Sequence, residues 1–449
     1  MPSATNAHLL NIDIAIIGGG ISGLSAAVAL SALSHVSVRL FERGPELREY
    51  GAGISVAENS WKVLELLGAA GSVKGAPTVP GAKRNGYTGE IVLPEPGIPR
   101  KRGPTRVRRA RLQAALAAQV PQGVIKFNKK LVSLQDLEGG GVTLEFADGT
   151  NTTADLVVGG DRVARQYLFP EYALRYTGML PDTHSRGNRS WTDVRTVGNT
   201  AWRVLLPAAS LAHIPDFPLQ TSWWFGVGGH IFMSPVDEPS DPDAMFEFSC
   251  RSGREPEVSG QTVSWGIEAK NAKVLSRFKD YDLRIVEALA QVPEGDWKEF
   301  ALFSGPCIEH ITGWDKVVLI GDASHPLAGA FGSGAAFAME DGWIIARALE
   351  HSLASGSSTP VASALCRFES IRSPYYQRMY QFRDSQKPHL QKMQQETRED
   401  FDNLLRARMN KTGLAGKRPE GWMDWIYKNN IEKVWEEYLH VEKKRATSK

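Results

Sequence analysis

Two glycine-rich turns, each between a strand-like and a helix-like run, constrain this chain more than any other feature. The first is Gly18-Gly19-Gly20-Ile21-Ser22-Gly23, which follows the apolar strand-like residues 12–17. The second is Gly321-Asp322-Ala323-Ser324-His325-Pro326, which follows the apolar residues 317–320. A strand, a glycine turn and a helix in this order hold dinucleotide phosphates in front of the helix start. The first turn alone predicts a dinucleotide, and both turns together predict FAD held at both ends.

The first turn carries the full G-x-G-x-x-G fingerprint in Gly18, Gly20 and Gly23. The first glycine allows a tight turn, the second lets the backbone approach a pyrophosphate, and the third lets the helix pack on the strand. A second strand-like run, residues 36–41, ends at Glu42, about 20 residues further on, where a carboxylate is expected to bind ribose hydroxyls. An acid here argues against a 2′-phosphate, and the arginine that follows it leaves the point open.

Length and charge limit the number of domains and the kinds of partner that the chain can have. Its 449 residues are enough for two or three domains, and its net charge of +2 indicates neither nucleic acid nor a membrane as the main partner. The three cysteines match no metal spacing and no disulfide framework, so we expect no metal site and a reducing, cytoplasmic location. No apolar run approaches the roughly 20 residues of a spanning helix, and residues 1–11 show no secretory signal pattern.

Only the first turn is a complete G-x-G-x-x-G. The glycine runs at 139–141 and 226–229 lack a helical pattern after them and are expected to be turns. We therefore expect no second dinucleotide-binding domain. This disfavours lipoamide-reductase-like enzymes, which need two such units.

The chain resembles the FAD-dependent aromatic monooxygenases with a p-hydroxybenzoate-hydroxylase-like fold, and among them fungal salicylate-hydroxylase-like proteins. The resemblance extends from residue 12 to about residue 378. It rests on the first turn with Glu42, Gly51-Ala52-Gly53-Ile54-Ser55 with the helix predicted at 59–67, Arg108-Arg109-Ala110-Arg111-Leu112, and the segment 321–341. The fold class it implies is α/β, with a discontinuous Rossmann-type FAD-binding domain, an inserted antiparallel β-sheet substrate domain and a C-terminal helical region.

The domain boundaries follow from the same resemblance. The FAD-binding domain is expected at 8–76, 100–176 and 300–355, the substrate domain at 77–99 and 177–299, and the helical region at 356–449. Short β-branched or aromatic runs predict an antiparallel sheet that covers a pocket over the flavin, at 204–206, 221–227, 230–233, 245–249 and 263–267. Helical patterns at 375–386, 393–409 and 421–439 predict packing on the flavin domain or a homodimer contact.

The segment around the second turn is the most specific of the four. Its strand delivers Asp322 to a turn where the carboxylate can accept a hydrogen bond from a ribityl hydroxyl. The next helix begins near Gly334 and Ala335, and its positive end would stabilise negative charge on the reduced flavin. The resemblance places Pro326 near the reactive face of the ring. It gives His325 a positional role, with acid–base catalysis as the open alternative.

Ala201-Trp202-Arg203 resembles the family's strand under the substrate, and Arg203 is our first candidate for binding an acidic or phenolate oxygen. The alternative is a surface arginine on an edge strand. Arg109 resembles the arginine that lies along the flavin ribityl chain. The catalytic candidates are thus Arg203, His325 and Pro326. The expected FAD-binding residues are Gly18, Gly20, Ile21, Ser22, Gly23, Glu42, Arg43, Gly53, Arg109, Asp161, Asp322, Gly334 and Ala335.

Three departures from the family's pattern bear on function. The strand-Gly-Ala-Asp-Gly-x-x-Ser motif, which supports NAD(P)H use, is shortened to Gly159-Gly160-Asp161 before an arginine, although Asp161 is still expected to reach the flavin. A polar stretch at 179–199 precedes the strand of Arg203, and we interpret it as an added lid or a translated intron. Ser234 stands where some dearomatising relatives offer a tyrosine to the substrate phenolate.

The resemblance implies a monooxygenase with FAD as cofactor, NAD(P)H as a transient co-substrate and O2 as oxidant. A C4a-hydroperoxyflavin in a dry pocket would hydroxylate a small phenolic or salicylate-like aromatic. The shortened motif leaves open an oxidase or dehydrogenase that acts on a small alcohol or sugar-like metabolite without NAD(P)H. A flavin-binding protein without turnover is the third hypothesis. The basic cluster at 100–111 is interpreted as a helix start beside phosphates rather than a nucleic-acid site.

Overall fold

The structure is a computed structural model, and it describes residues 11–47, 53–98, 100–138, 140–160, 162–169, 199–253, 265–301, 307–327, 329, 331–395, 397–411 and 423–447. The strands are β1 (Ile12–Ile17), β2 (Val36–Phe41), β3 (Gly53–Val56), β4 (Ala76–Pro77), β5 (Gly81–Asn85), β6 (Ile91–Glu95), β7 (Thr105–Arg108), β8 (Ile125–Lys126), β9 (Leu131–Asp136), β10 (Val142–Phe146), β11 (Asn151–Ala154), β12 (Leu156–Gly159), β13 (Asn199–Pro207), β14 (Thr221–Gly226), β15 (Gly229–Pro235), β16 (Met245–Gly253), β17 (Trp265–Glu268), β18 (Lys298–Ala301), β19 (Thr312–Gly313) and β20 (Val317–Leu319). The helices are α1 (Ile21–Ser31), α2 (Glu58–Leu66), α3 (Arg109–Ala117), α4 (Arg162–Leu168), α5 (Asn271–Phe278), α6 (Leu283–Ala290), α7 (Gly334–Ala354), α8 (Pro360–Gln395), α9 (Arg398–Lys411), α10 (Asp424–Tyr427) and α11 (Ile431–Thr447).

The sheet that carries both glycine turns has the strand order β19-β20-β12-β1-β2-β8. Its pairs are parallel except for β19 with β20. The strand β1 is almost wholly apolar, as is typical of a parallel strand covered on both faces. Because β1 and β20 run in the same direction, the turns that follow them lie at the same edge of the sheet. This is the edge where ligands bind in open α/β folds.

Two helices, α1 and α7, begin at this edge and pack on each other. Their buried residues join the strands and α2, α3 and α8 in one continuous apolar core. Three acidic or basic side chains are buried where α7 meets α8: Glu340, Asp341 and Arg372. Arg372 Nε lies 2.8 Å from Asp341 Oδ1, and its NH1 lies 3.1 Å from Glu340 Oε2. These charges are thus paired within the core, as burial requires.

The largest sheet has the order β17-β18-β13-β16-β15-β14-β5-β6 and is antiparallel except for β14 with β5. Side chains alternate between its two faces. The face with Trp202, Ile231 and Phe248 packs with α5 and α6 into a second core. We call the opposite face the pocket face. It carries Ala201, Arg203, His230, Phe232, Ser234, Glu247, Ser249 and Arg251, which alternate with those core residues.

Two three-stranded sheets complete the fold. One has the order β11-β10-β9, and its buried residues join the core of the parallel sheet. The other has the order β3-β7-β4 and contacts both the core of the parallel sheet and the pocket face. Its strand β7 is joined to the pocket face by Arg106, whose Nε donates a 2.9 Å hydrogen bond to Glu247 Oε2. The parallel sheet and the pocket face are therefore connected through β3 and β7.

The sequence predicted most of these elements. The first β-α-β unit, the helix after the second turn and the strands predicted at 204–206, 221–227, 230–233 and 245–249 are present. Helix α1 begins three residues before the predicted 24, and the strands β5, β6 and β18 of the large sheet were not predicted. The predicted break between helices at 375–386 and 393–409 was wrong, because α8 runs without interruption from Pro360 to Gln395. The glycine run at 226–229 forms the β14–β15 turn as predicted. The domain boundaries remain a prediction.

Candidate flavin site and substrate pocket

The first glycine turn has the geometry that its sequence demands. Gly18 has φ +97°, which side chains other than glycine rarely adopt. A Cβ atom on Gly23 would lie 1.9 Å from the carbonyl oxygen of Gly18. No side chain fits there, so the third glycine of the motif lets α1 pack on β1.

The start of α1 leaves space in front of Gly20. Its N-cap residue is Gly20, which has no side chain that could cap the helix, and the first turn contains no acidic residue. A Cβ atom on Gly20 would meet nothing within 4 Å. The backbone N–H groups of this first turn, where Ile21, Ser22 and Gly23 lie, have no intrahelical acceptors. Together with the helix dipole, they form a ready anion site.

Glu42, at the end of β2, is held beside this turn by backbone groups. Its Oε2 accepts a 2.7 Å hydrogen bond from Gly19 N, and its Oε1 accepts a 2.8 Å bond from Gly44 N. Each carboxylate oxygen keeps lone pairs for a ribose hydroxyl. The neighbouring Arg43 is exposed, and in the described part of the chain no ion pair or hydrogen bond of its side chain is recorded.

One residue of this site was missed by the sequence reasoning. Gln113, on α3, is buried and donates a 2.9 Å hydrogen bond from Nε2 to Gly19 O. It therefore fixes the glycine turn from a helix that starts at Arg109, four residues earlier in the chain. The polar residue on the buried side of α3 was the signal that could have found it. Arg109 itself is half-buried at the start of α3.

The second turn is a single 3-10 turn, Gly321–Ala323, with Asp322 exposed on it. Asp341, from α7, accepts a 2.9 Å hydrogen bond from Gly321 N through Oδ2. The same carboxylate is paired with Arg372. The buried charges between α7 and α8 thus hold the turn that presents Asp322.

His325 is buried just behind this turn and stacks on Tyr376, with ring centroids 4.3 Å apart. Ser324 Oγ donates a 2.9 Å hydrogen bond to Gly321 O, so its single proton is used. His325 Nδ1 lies 2.7 Å from Ser324 Oγ, so Nδ1 must be the donor in this hydrogen bond. His325 Nε2 is then an acceptor, and no described residue bonds to it. Burial lowers the pKa of His325, while Asp341 opposes the shift. The ring is consequently neutral near pH 7.

The start of α7 is the second uncapped helix end at the site. Its N-cap residue, Ser333, makes no side-chain capping hydrogen bond, and a Cβ atom on Gly334 would meet nothing within 4 Å. Gly334 is exposed, whereas Ala335 is buried against the core. A Cβ atom on Gly332 would lie 3.9 Å from Ser55 Oγ of β3. The loop before α7 therefore borders β3, and Pro326 is buried in the same loop.

Arg203 lies in the interior of the large sheet. Its strand, β13, is hydrogen-bonded to β16 on one side and β18 on the other, so the alternative of an edge-strand arginine was wrong. Its guanidinium lies over the Phe300 ring, 5.6 Å from the centroid. Its Nε is buried, and no described residue accepts a hydrogen bond from it. Burial lowers the pKa of Arg203, Arg106 and Arg109 lower it further, and Glu247 raises it.

Two further arginines lie around Arg203. Arg106 is bound to Glu247, to Ser55 Oγ at 2.8 Å and to Gly53 O at 2.8 Å. The other, Arg251, projects from the neighbouring strand, and burial lowers its pKa to about 10, with Arg203 contributing. A Cβ atom on Gly53 would lie 2.6 Å from Glu247 Oε2, so β3 approaches the pocket face closely.

Aromatic rings cover the other end of the pocket face. Phe232 and Trp223 lie 4.7 Å apart between ring centroids, and Arg106 lies over the Phe232 ring at 4.9 Å. Ser234 is buried and hydrogen-bonded to Thr221 Oγ1 at 2.7 Å. Both of these side chains are thus satisfied within the sheet. The pocket face consequently offers cationic donors at one end and flat apolar surface at the other.

The basic cluster at 100–111 has a different role from the one expected. Arg108 and Arg111 form ion pairs with Asp237, and Arg111 also pairs with Asp241 at 2.8 Å. With Arg106, these residues attach β7 and α3 to the loop after β15 and to the large sheet. The interpretation of the cluster as a helix start beside phosphates was therefore wrong for these three arginines.

Some expectations fall on residues that the structure does not describe. Asp161, Gly51 and Ala52, the insert at 179–198 and the start of the run at 263–267 all lie outside the described residues. Among the residues that are described, no cluster of His, Cys, Asp and Glu is suited to a metal ion. Within the same ranges, no helix is both long and apolar enough to cross a bilayer.

Known proteins resemble both the sequence and this fold. The family described as "NAD(P)-binding Rossmann-like domain" matches residues 16–55, and "Flavin containing amine oxidoreductase" matches residues 76–159. A 3-amino-4-hydroxybenzoate 2-monooxygenase of Streptomyces platensis is 29% identical over 373 residues, which cover 80% of this chain and 84% of that protein. A salicylate hydroxylase of Pseudomonas putida is 28% identical over 388 residues, covering 81% and 83%. The chain is thus similar to FAD-dependent aromatic monooxygenases over most of its length.

The architecture agrees with that similarity. A structure described as a salicylate hydroxylase substrate complex superposes with a TM-score of 0.69 at 22% identity, covering 94% of this chain and 97% of the other. The predicted fold class, α/β with a Rossmann-type FAD-binding fold, additional sheets and C-terminal helices, is confirmed. FAD as the cofactor is also confirmed.

The residues present fit FAD. Two helix starts, those of α1 and α7, are uncapped, free of acidic residues and open in front of Gly20 and Gly334. They lie at one edge of one sheet, as a ligand with an anionic pyrophosphate and an electron-accepting ring requires. Glu42 would hold the ribose and Asp322 the ribityl chain. The assignment of individual residues to FAD atoms stays a prediction.

Proposed function

We propose that this protein is an FAD-dependent monooxygenase that uses NAD(P)H and O2 to hydroxylate a small aromatic acid or phenol. The observation that carries the proposal is Arg203, a partly desolvated guanidinium with an unbonded, buried Nε in the middle of the pocket face. A buried cation without a carboxylate partner is costly unless a ligand supplies the negative charge. Relatives that act on hydroxybenzoate- and salicylate-type acids support the choice of ligand class.

FAD, when bound, supplies hydride acceptance and oxygen activation. The side chains of this protein bind and orient. Arg203 holds the acidic or phenolate oxygen of the substrate by a charge-assisted hydrogen bond. Phe232 and Trp223 cover the aromatic ring and exclude water from it.

The start of α7 supplies a positive field at the other side of the ring system. The backbone N–H groups of Gly334 and Ala335 have no acceptor within the helix, and they stabilise negative charge that develops in front of them. His325 is neutral and hydrogen-bonded through Nδ1, so it supports the second turn rather than carrying a positive charge into the site. This is a positioning role, as proposed from the sequence.

The experiment is flavin reduction without oxygen. The holoenzyme is mixed with NADPH or NADH, with and without salicylate, and the oxidised-flavin absorbance is followed. We expect the nicotinamide to bleach the flavin, faster when salicylate is present. The Arg203→Gln variant should bind FAD normally and lose the effect of salicylate. The control, Lys279→Gln, removes an exposed cation on the far side of the sheet and should behave as the parent does.

A flavin that ignores both nicotinamides would refute the proposal. Turnover of an alcohol or sugar with O2 alone would then show that the protein is an oxidase. A variant Arg203→Gln that responds to salicylate as strongly as the parent would remove Arg203 from the substrate site.

Location and assembly form a separate part of the proposal. We place the protein in a reducing cytoplasm because Cys250, Cys307 and Cys366 are all free thiols. We also propose a homodimer, since the C-terminal helices resemble a region that makes dimer contacts in this family. Light scattering of the purified holoenzyme tests the dimer, and a mass of one chain would refute it.

A further inference from the structure

The pocket face carries more positive charge than its own carboxylate neutralises. Arg106 and Glu247 form one buried ion pair. Arg203 and Arg251 remain, and no carboxylate of the described residues lies within ion-pair distance of either. Arg109, at the start of α3, adds to the positive potential felt by Arg203. Glu247, which raises the pKa of Arg203, is already paired with Arg106. Among the described groups, neither Arg203 nor Arg251 therefore has an ion pair of its own.

The sheet register brings these two guanidinium groups together. Arg203 is paired with Ser249, and Ala201 is paired with Arg251. Arg203 and Arg251 are thus diagonal neighbours on one face, a spacing of roughly 7–8 Å between Cα atoms. Arg203 also lowers the pKa of Arg251, after the larger effect of burial.

Arg251 reaches across to the loop that precedes α7. A Cβ atom on Gly329 would lie 3.1 Å from the NH2 atom of Arg251. Arg251 consequently lies between the large sheet and the second flavin turn, whereas Arg203 lies over Phe300 further along the face. The two cations border the same space from adjacent strands.

Like charges held close together in a half-buried site are unfavourable without a counter-charge. One carboxylate would neutralise only one of them. A ligand with two anionic groups a few ångströms apart would neutralise both and could bind each guanidinium through paired hydrogen bonds. The chemistry of the face therefore favours a dianion over a monoanion.

We propose that Arg203 and Arg251 form a two-point anion clamp that selects an aromatic substrate carrying two acidic groups on one ring. This inference rests on the proposed function for the location of the substrate, and it names the substrate class: a benzenedicarboxylate. Arg203 holds one acidic group and Arg251 the other. Arg106 stays paired with Glu247 and keeps the clamp in place.

The test is equilibrium binding to the oxidised holoenzyme, followed by perturbation of the flavin spectrum and by calorimetry. The probes are benzoate, phthalate, isophthalate and terephthalate, which share one ring and differ in the number and spacing of carboxylates. At least one dicarboxylate is expected to bind the parent protein ten times more tightly than benzoate or better. If none of the three binds more tightly than benzoate, the clamp is overturned, whatever any variant does.

The variants assign the second carboxylate to Arg251. In Arg251→Gln, affinity for the preferred dicarboxylate should fall by about 30-fold or more, as expected for loss of a buried charge partner, while benzoate affinity changes little. Arg251→Lys should retain part of the preference. Lys279→Gln, which loses the same charge outside the pocket, should match the parent.

Two results with Arg251→Gln would overturn the proposal. One is an equal loss of affinity for benzoate and the dicarboxylates, which would show a general effect of charge or folding. The other is a variant that keeps the dicarboxylate preference but shows a changed flavin spectrum or FAD affinity when no aromatic acid is present. This result would assign Arg251 to the cofactor site.

This test is independent of nicotinamide and oxygen, so its failure can be told apart from failure of the proposed function. A protein that hydroxylates a monoacid without preferring dicarboxylates keeps the function and loses the clamp. A protein that prefers dicarboxylates through Arg251, but whose flavin no nicotinamide reduces, keeps the clamp and loses the function.

Discussion

The buried charges between α7 and α8 link the stability of this protein to its flavin site. Arg372 is 1% exposed and pairs with Glu340 and Asp341, which are 1% and 0% exposed. Asp341 in turn accepts the hydrogen bond from Gly321 N that shapes the second turn. Replacing Arg372 by Met keeps a long side chain but leaves two carboxylates without their cation. We predict that this substitution strongly destabilises the core and also disturbs the flavin turn.

The size of the loss follows from burial. Removing one partner of a buried ion pair costs about 3–5 kcal/mol, because the remaining charge is left uncompensated. Asn59 and Asn429 offer Glu340 Oε1 hydrogen bonds of 3.4 and 3.0 Å, so one of the two carboxylates keeps partial support. We therefore expect Arg372→Met to lose at least about 3 kcal/mol near pH 7.

The loss should depend on pH with a definite sign. Burial raises the pKa of Glu340, whereas Arg372 and Asn429 lower it. An acid whose folded-state pKa is raised contributes stability below its unfolded pKa and loses that contribution as pH rises through the folded value. Without Arg372, the folded pKa of Glu340 rises further. The deficit of the variant should thus be greatest at pH 7–8 and shrink as pH falls towards the usual glutamate range of about 4.3.

The assay is urea unfolding of the holoenzyme at a series of pH values, followed by circular dichroism. The control is Arg378→Met on the same helix, because Arg378 is exposed and lies 4.1 Å from the Trp425 ring. The control should change the unfolding midpoint only slightly at every pH. A deficit in Arg372→Met that is no larger than in the control, or that does not shrink with falling pH, would refute the reasoning.

Three further predictions concern the flavin turns. Gly23→Ala should fail to fold, because its Cβ would lie 1.9 Å from Gly18 O. Gly20→Ala should fold but lose FAD, because its Cβ meets only the space in front of the helix. Soluble yield and flavin content distinguish the two outcomes. Glu42→Ala should weaken FAD binding roughly 10- to 100-fold, as for loss of a charged hydrogen-bond acceptor, measured by fluorescence titration of the apoprotein; unchanged affinity would remove Glu42 from the site. His325 has a lowered pKa, so its contribution to stability falls as pH drops below about 6.5. His325→Gln should flatten the pH dependence of the urea midpoint between pH 5 and 6.5, and an unchanged slope would contradict a buried neutral ring.

Local sequence signals predicted the parallel sheet and its turns. The residues of β1, the glycine turn and Glu42 interact within one β-α-β unit, so spacing alone determines their contacts. The same holds for the strand and helix around the second turn. Short β-branched or aromatic runs likewise predicted strands of the large sheet, because such residues suit strands with one face in the core.

The sequence could not predict contacts between distant segments. Gln113 binds Gly19 across 94 residues, and Arg106 binds Glu247 across 141 residues. Nothing in the spacing of these residues shows that they meet. The neighbourhood of Arg203 and Arg251 depends on the register of β13 with β16, which is a property of the assembled sheet. The pocket therefore emerged only from the fold.

The central claim is that this protein transfers one oxygen atom from O2 to an aromatic acid. The most direct measurement is turnover under ¹⁸O2 with NADPH, using the acid that the binding series prefers, with mass spectrometry of the product. One ¹⁸O atom in the hydroxylated product for each NADPH consumed is the predicted result. Consumption of NADPH that yields hydrogen peroxide alone with every acid, or turnover of an alcohol without NADPH, would contradict the claim.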